Sequence, residues 1–333
     1  MKDPARAVSA PGVRIGITLG DPRGIGVEVA SAALAEMPRL DHISFKVLGW
    51  EGALPAELMQ RGDVELEAVG TWAAETGDAD APAGGLAALA IERGIDLALD
   101  GRIDGLVTGP ISKTALAAAG YSVPGHTELL RQRTGVPEVT MMMAAETTPL
   151  GGPLRMALLT AHIPLREVPD ALTPELVEAR SRIAERALRE WWGLASPRLA
   201  FAGVNPHASE GGRFGDEEAR VLTPAIRRLE ADGIRVAGIF PGDTVFGRCM
   251  EGEVDAVVIP YHDVGLAVIK TLARETGVNV TAGLPFPRTS PDHGTAFDIA
   301  GQGVANPGSM RASIDLCVRF AERAAGRAPE VAV

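Results

Sequence analysis

An α/β architecture with a largely parallel or mixed sheet is predicted by three features of the chain. Short aliphatic or β-branched runs alternate with longer stretches of helical periodicity. The first such unit reads as strand, glycine-rich turn and helix. No internal repeat or low-complexity linker breaks the alternation, and 333 residues, 46% hydrophobic and 23% charged, suffice for one core or two lobes.

The first expected strand is Val13 to Thr18, followed by the turn Leu19-Gly-Asp-Pro-Arg-Gly-Ile-Gly26 and a helix from Val27 to about Met37. Residues from Gly77 to Gly85 mix Gly, Asp, Pro and Ala without periodicity, which predicts a surface loop before a helix from Leu86 to Leu99. Thr173-Pro174-Glu175 is a helix start with proline at its first position. Leu176, Ile183, Ala187 and Trp191 recur behind it at helical spacing, which assigns Trp191 and Trp192 to packing. A glycine-punctuated segment from Pro285 to Gly308 leads into the last helix, about Ser309 to Ala325, which is placed to return to the first lobe.

The formal charge of -11 works against a nucleic-acid or anionic-membrane partner, since either needs a basic face. The two cysteines, Cys249 and Cys317, are too few for a disulfide framework and read as reduced thiols. The first dozen residues lack the apolar core of a signal peptide, and no apolar run approaches the ~18 residues of a membrane span. A cytoplasmic location is expected.

Three of the six histidines share one context. Arg155-Met-Ala-Leu-Leu-Thr runs into Ala161-His162, Leu199-Ala-Phe-Ala-Gly-Val into Asn205-Pro206-His207, and Asp255-Ala-Val-Val-Ile-Pro into Tyr261-His262-Asp263. In α/β sheets the carboxyl ends of strands form a ligand-binding edge, where side chains distant in sequence converge. Three neutral imidazoles there would hold a divalent metal with a position open for substrate or water. Zinc suits them first, with cobalt, nickel, manganese or magnesium as alternatives.

Several blocks carry a resemblance to a known family: Gly20-Asp-Pro-Arg-Gly-Ile-Gly, Leu106-Val-Thr-Gly-Pro-Ile-Ser-Lys, Gly125-His-Thr-Glu, Asn205-Pro-His-Ala-Ser-Glu-Gly-Gly, Tyr261-His-Asp and Gly283-Leu-Pro-Phe-Pro-Arg-Thr-Ser-Pro-Asp-His-Gly-Thr-Ala. In this order and spacing they resemble the 4-hydroxythreonine-4-phosphate dehydrogenases of vitamin B6 biosynthesis, from about Val13 to about Phe320. The resemblance implies a two-lobed isocitrate/isopropylmalate-dehydrogenase-like fold, a mixed sheet with helices on both faces. It implies a cofactor-side lobe of residues 13–128 plus 289–326, a metal- and dimer-forming lobe of 129–288, and an active site in the cleft between them. The family's metal ligands fall on His162, His207 and His262, the three marked by strand context. Its substrate-binding residues fall on His126, Thr127, Lys270, Asn279 and Arg288, a set suited to a phosphate and a carboxylate. A homodimer with shared active sites is also implied. Departures from the family's pattern stand at Arg23, where a small residue is common, at Val27 for proline and at Val264 for glutamine.

No Gly-x-Gly-x-x-Gly follows the first strand, and Gly20 to Gly26 lacks a P-loop ending. Instead, His293 to Asn306 resembles the adenosine-binding loop of isopropylmalate and isocitrate dehydrogenases. By that resemblance His293, Gly294, Thr295, Ala296 and Asn306 contact adenine and Asp298 accepts the ribose hydroxyls, which favours NAD over NADP.

The implied reaction is metal-assisted, NAD-linked oxidation of a phosphorylated hydroxy acid at its C3 alcohol, giving a β-keto acid able to lose carbon dioxide. Lys270, Asp243 and Asp263 are candidates for the general base, beside a hydroxide on the metal. The same chemistry on threonate or erythronate 4-phosphate, a phosphate acyltransferase and a non-catalytic metabolite-binding protein are the competing readings.

Overall fold

The computed structural model describes residues 12–73, 79–123 and 125–326. Residues 1–11, read above for a signal segment, and Gly77 and Asp78 of the expected loop lie outside the described residues. The strands are β1 (Val13–Thr18), β2 (Ile43–Trp50), β3 (Val64–Gly70), β4 (Gly105–Thr108), β5 (Thr140–Ala145), β6 (Leu154–Leu158), β7 (Arg198–Ala202), β8 (Arg235–Phe240), β9 (Ala256–Ile259), β10 (Val278–Ala282) and β11 (Arg288–Pro291). They form one eleven-stranded sheet in the order β3-β2-β1-β4-β11-β10-β5-β6-β9-β7-β8. Parallel runs occupy both flanks. In the middle, β10 is antiparallel to β11 and β5, and β5 to β6. The sheet is therefore mixed.

Helices cover both faces, as the period-2 geometry of the strands requires when both faces are apolar. Val107 of β4 packs with the Gly26–Glu36 and Gly308–Ala324 helices, whereas its neighbour Leu106 packs with the Asp80–Leu99 helix on the other face. Beyond the middle strands, Met142 faces the Pro174–Glu190 helix and Met143 faces the His262–Leu272 helix.

The expected loop from Gly77 to Gly85 is corrected from Asp80 onward, where the long helix already begins. Pro82 lies in the first turn, where no intrahelical partner is needed for its missing N–H. Gly84 lets this helix touch its neighbour, because a Cβ there would sit 2.0 Å from the Ala115 carbonyl oxygen. Glycine and proline thus served packing and a helix start, not a loop.

The last helix packs against both halves of the sheet. Met310, Ile314, Cys317 and Val318 enter the core under β1 and β2, while Leu316 and Phe320 enter the core of the second half. Trp191 and Trp192 close on Phe320 at ring-centroid distances of 5.6 and 4.5 Å, the packing role that their position predicts. Beside them the Glu146 carboxylate accepts bonds from Arg155, Arg319 and Trp192 Nε1. Burial alone would raise its pKa, but the two arginines hold it below the usual carboxylate value. Cys249 and Cys317 are free and buried. Among the described residues no helix is long and apolar enough to cross a membrane.

Candidate active site

Strands β6, β9 and β7 are adjacent and parallel, so their carboxyl ends share one edge, and the three marked histidines follow them. His162 and His262 come together there, with ring centroids 5.6 Å apart. Asp263 Oδ1 lies 2.7 Å from His262 Nδ1, the carboxylate–imidazole pairing that fixes a tautomer and leaves Nε2 as a ligand. Burial, Lys113 and His262 all push the His162 pKa down, which favours the neutral ring. His207 does not join this pair. Among the described residues no group of three or more His, Cys, Asp or Glu side chains is arranged to hold a metal ion. The exposed His207 ring lies 6.0 Å from that of Phe214.

The backbone at these histidines is unusual. His162 has φ 53° and His207 φ 55°, and Ala208, Ser209 and Glu210 continue in the left-handed region. Each such non-glycine residue costs roughly 1–2 kcal/mol, a strain that persists only where the surroundings impose it. For the His207 loop they do: Asn205 N–H donates to the buried Glu218 carboxylate at 2.8 Å, and Asn205 Nδ2 donates to Glu217 and Glu218 at 2.6 and 2.9 Å.

A cavity of about 670 Å³ runs along the central strands beside His162. His126 and Thr127, at the start of the His126–Thr134 helix, line it together with Asn279 of β10, Arg288 of β11, His293 and Gly294. Arg288 is 2% exposed, and its guanidinium donates to two hydroxyls, Thr281 Oγ1 at 2.8 Å and Thr108 Oγ1, rather than to a carboxylate. Its Nε has no partner among the described residues, and burial brings its pKa down to about 10. A desolvated cation satisfied only by neutral acceptors is a waiting site for an anion.

His126 adds a second unsatisfied atom, the buried Nε2. Burial first, then the charge of Arg288, drives its pKa well below 6.5. The unfolded chain therefore takes up a proton near pH 6.5 that the folded protein refuses. Stability is present above that value and falls by about 1.4 kcal/mol per pH unit below it. Urea unfolding at pH 7.5 and 5.5 should show a larger acid-side loss for the native protein than for His126→Gln, by about 1 kcal/mol. Equal losses would remove His126 from this role.

The remaining marked residues stand differently. Lys270 does not line the cavity; its Nζ pairs with Asp292 Oδ2 at 3.3 Å, one residue before His293. Asp243 is exposed in the turn before the Val245–Met250 helix, and Asp263 is engaged with His262. Asp298 is exposed, and Ala296, at φ 44°, is another left-handed residue. Asn306 Oδ1 accepts from Gly308 N–H at 2.8 Å, at the start of the last helix.

Three cavity-lining cations escape a reading of the sequence. Lys113 sits inside a quoted block but had no role of its own there. Arg131 and Arg180 look like solvated helix charges, yet both face the cavity, and Arg180 pairs with Glu138 at 3.0 Å.

A mixed α/β sheet carrying an imidazole pair beside a cavity lined by one buried arginine and several less buried cations defines a site suited to a small anionic ligand. The family described as "Pyridoxal phosphate biosynthetic protein PdxA" matches residues 26–317. The chain is 44% identical over 321 residues to a 4-hydroxythreonine-4-phosphate dehydrogenase of Paracoccus denitrificans, covering 92% of this chain and 97% of that one. A solved 4-hydroxythreonine-4-phosphate dehydrogenase from Klebsiella pneumoniae superposes with a TM-score of 0.80 at 39% identity, covering 93% of this chain and all of that one. The protein belongs to this family of dehydrogenases in pyridoxal phosphate biosynthesis. Its fold is shared with isocitrate dehydrogenase from Methylococcus capsulatus, at a TM-score of 0.53 and 14% identity.

Proposed function

We propose that the protein is a cytoplasmic homodimer that oxidises 4-phosphohydroxy-L-threonine at C3 with NAD, assisted by a divalent metal. The product, 2-amino-3-oxo-4-phosphooxybutanoate, would lose carbon dioxide to give 3-amino-2-oxopropyl phosphate. The observation that carries this reading is Arg288, a buried guanidinium without a carboxylate partner, in the cavity that His162 borders.

The residues fit a divalent metal: two imidazoles 5.6 Å apart, one oriented by a carboxylate, the other on a strained backbone. His162 and His262 would hold it, with His207 supplied by a second copy of the chain. When bound, a metal there acts as a Lewis acid toward the substrate hydroxyl. NAD, when bound along His293 to Asn306, provides the hydride acceptor, with Asp298 on the ribose.

The chain's own residues do the rest. Arg288, His126, Thr127 and Asn279 anchor the anionic groups, and Lys113 and Arg180 add positive charge to the same cavity. Asp263 keeps the proton on His262 Nδ1. Of the base candidates, Asp263 is engaged with His262, and Lys270 pairs with Asp292, whose carboxyl burial pushes up against the opposing pull of Lys270. Side-by-side NADH formation from 4-phosphohydroxy-L-threonine and from D-threonate and D-erythronate 4-phosphate is the test. Faster turnover of the amino acid is expected, and preference for a sugar acid would reassign the substrate.

A further inference from the structure

The segment from His293 to Asn306 is stitched to the first turn and helix. Ile25 N–H donates to the Thr295 carbonyl at 3.0 Å, and the Glu28 carboxylate accepts from Gly301 N–H and from Gly303 N–H, the latter at 3.1 Å. Gly24 permits the approach, since a Cβ there would lie 2.7 Å from the Thr295 oxygen. Arg23 adds a fourth stitch. Its Nε and Nη2 meet the two oxygens of the buried Asp21 at 3.0 and 2.8 Å, and its Nη1 meets Asp80 at 2.6 Å. With those nitrogens committed, its carbon lies 5.0 Å from the centroid of the Phe297 ring.

Phe297 is nevertheless 47% exposed, and Val304 of the same segment 65%. A large apolar ring held by a fixed cation and left open to solvent points to a ligand surface rather than to a packing defect. Every nucleobase offers a π-face to such a ring. Resting on the NAD reading above, we propose that Phe297 is the shelf on which the adenine of the dinucleotide stacks, with Arg23 a positioning residue that acts through it. The arginine at position 23, a departure from the family's usual small residue, thereby acquires a task.

The test uses the whole protein and titrates ADP-ribose, NADH and nicotinamide mononucleotide calorimetrically. Phe297→Ala should weaken ADP-ribose and NADH about tenfold and raise KM for NAD similarly, leaving the mononucleotide, which lacks adenine, unaffected. Arg23→Ala should lose part of the same affinity. Phe297→Trp should restore binding and add indole fluorescence that ADP-ribose quenches. Unchanged ADP-ribose affinity in Phe297→Ala, or equal losses for ADP-ribose and the mononucleotide, would overturn the shelf. So would a changed oligomer mass at unchanged affinity, which would make the ring a contact between copies. If the native protein binds neither NADH nor ADP-ribose, the dinucleotide reading itself fails and takes the shelf with it.

Discussion

Replacing His162 or His262 with alanine is expected to lower kcat about 10³-fold or more and, under the proposed metal-assisted reaction, to abolish divalent-metal binding by the purified protein. Lewis-acid stabilisation of developing charge supplies several kcal/mol, and each 1.36 kcal/mol is a decade in rate. His162 is exposed and His262 half-buried, so circular dichroism and the melting temperature should change little. Asp263→Ala should act more gently, costing roughly 10–100-fold in metal affinity, because it removes the orienting carboxylate and leaves both imidazoles. His207→Ala should match the His162 loss. If His207 reaches the site from a second copy, mixing and refolding His162→Ala with His207→Ala chains should recover activity, since a mixed dimer retains one site with all three imidazoles. Inactive mixtures would place all three in one chain. Full metal content and activity in the three single variants would remove the metal centre.

Arg288→Met is expected to lower kcat/KM about 10³-fold while leaving the protein at least as stable. Hydrogen bonds to charged groups are worth about 1.5–3 kcal/mol each, and two to one anionic group reach this magnitude. The stability expectation has the opposite sign from that of most core substitutions. A guanidinium at 2% exposure whose partners are two hydroxyls carries an uncompensated desolvation cost, which methionine removes at similar length. Arg288→Lys should recover only part of the activity, because an ammonium cannot present two parallel N–H groups. Steady-state kinetics and thermal melts check both halves. A large drop in melting temperature with an unchanged KM would mean that Arg288 is structural.

The edge at which His162 and His262 meet was legible because β6, β9 and β7 are near-continuous apolar runs, and burial on both faces leaves that mark in sequence. Which rings would approach was not legible. Strand ends fix an edge, whereas the left-handed backbone at His162 and at His207 to Glu210 sets where each ring projects. Arg288 was visible through its motif, but its burial was not, because arginine is ordinarily a surface residue. Arg180 gave no signal for the same reason. It lies on an otherwise amphipathic helix, and only the fold turns it toward the cavity.

Short elements hid the sheet's centre. β10 and β11 have five and four residues, too few to establish a period, and their antiparallel pairing makes one sheet out of two parallel runs. The misjudged stretch before Leu86 failed for a different reason: Gly84 answers to the Ala115 backbone of a neighbouring helix, a contact invisible locally.

The most direct measurement is NADH formation from 4-phosphohydroxy-L-threonine by the purified protein, before and after a chelator and again after a divalent metal is restored. The predicted result is turnover that the chelator abolishes and the metal returns, with metal loss and rate loss in proportion. Turnover undiminished in protein shown by elemental analysis to hold no metal would contradict the assignment of His162, His207 and His262.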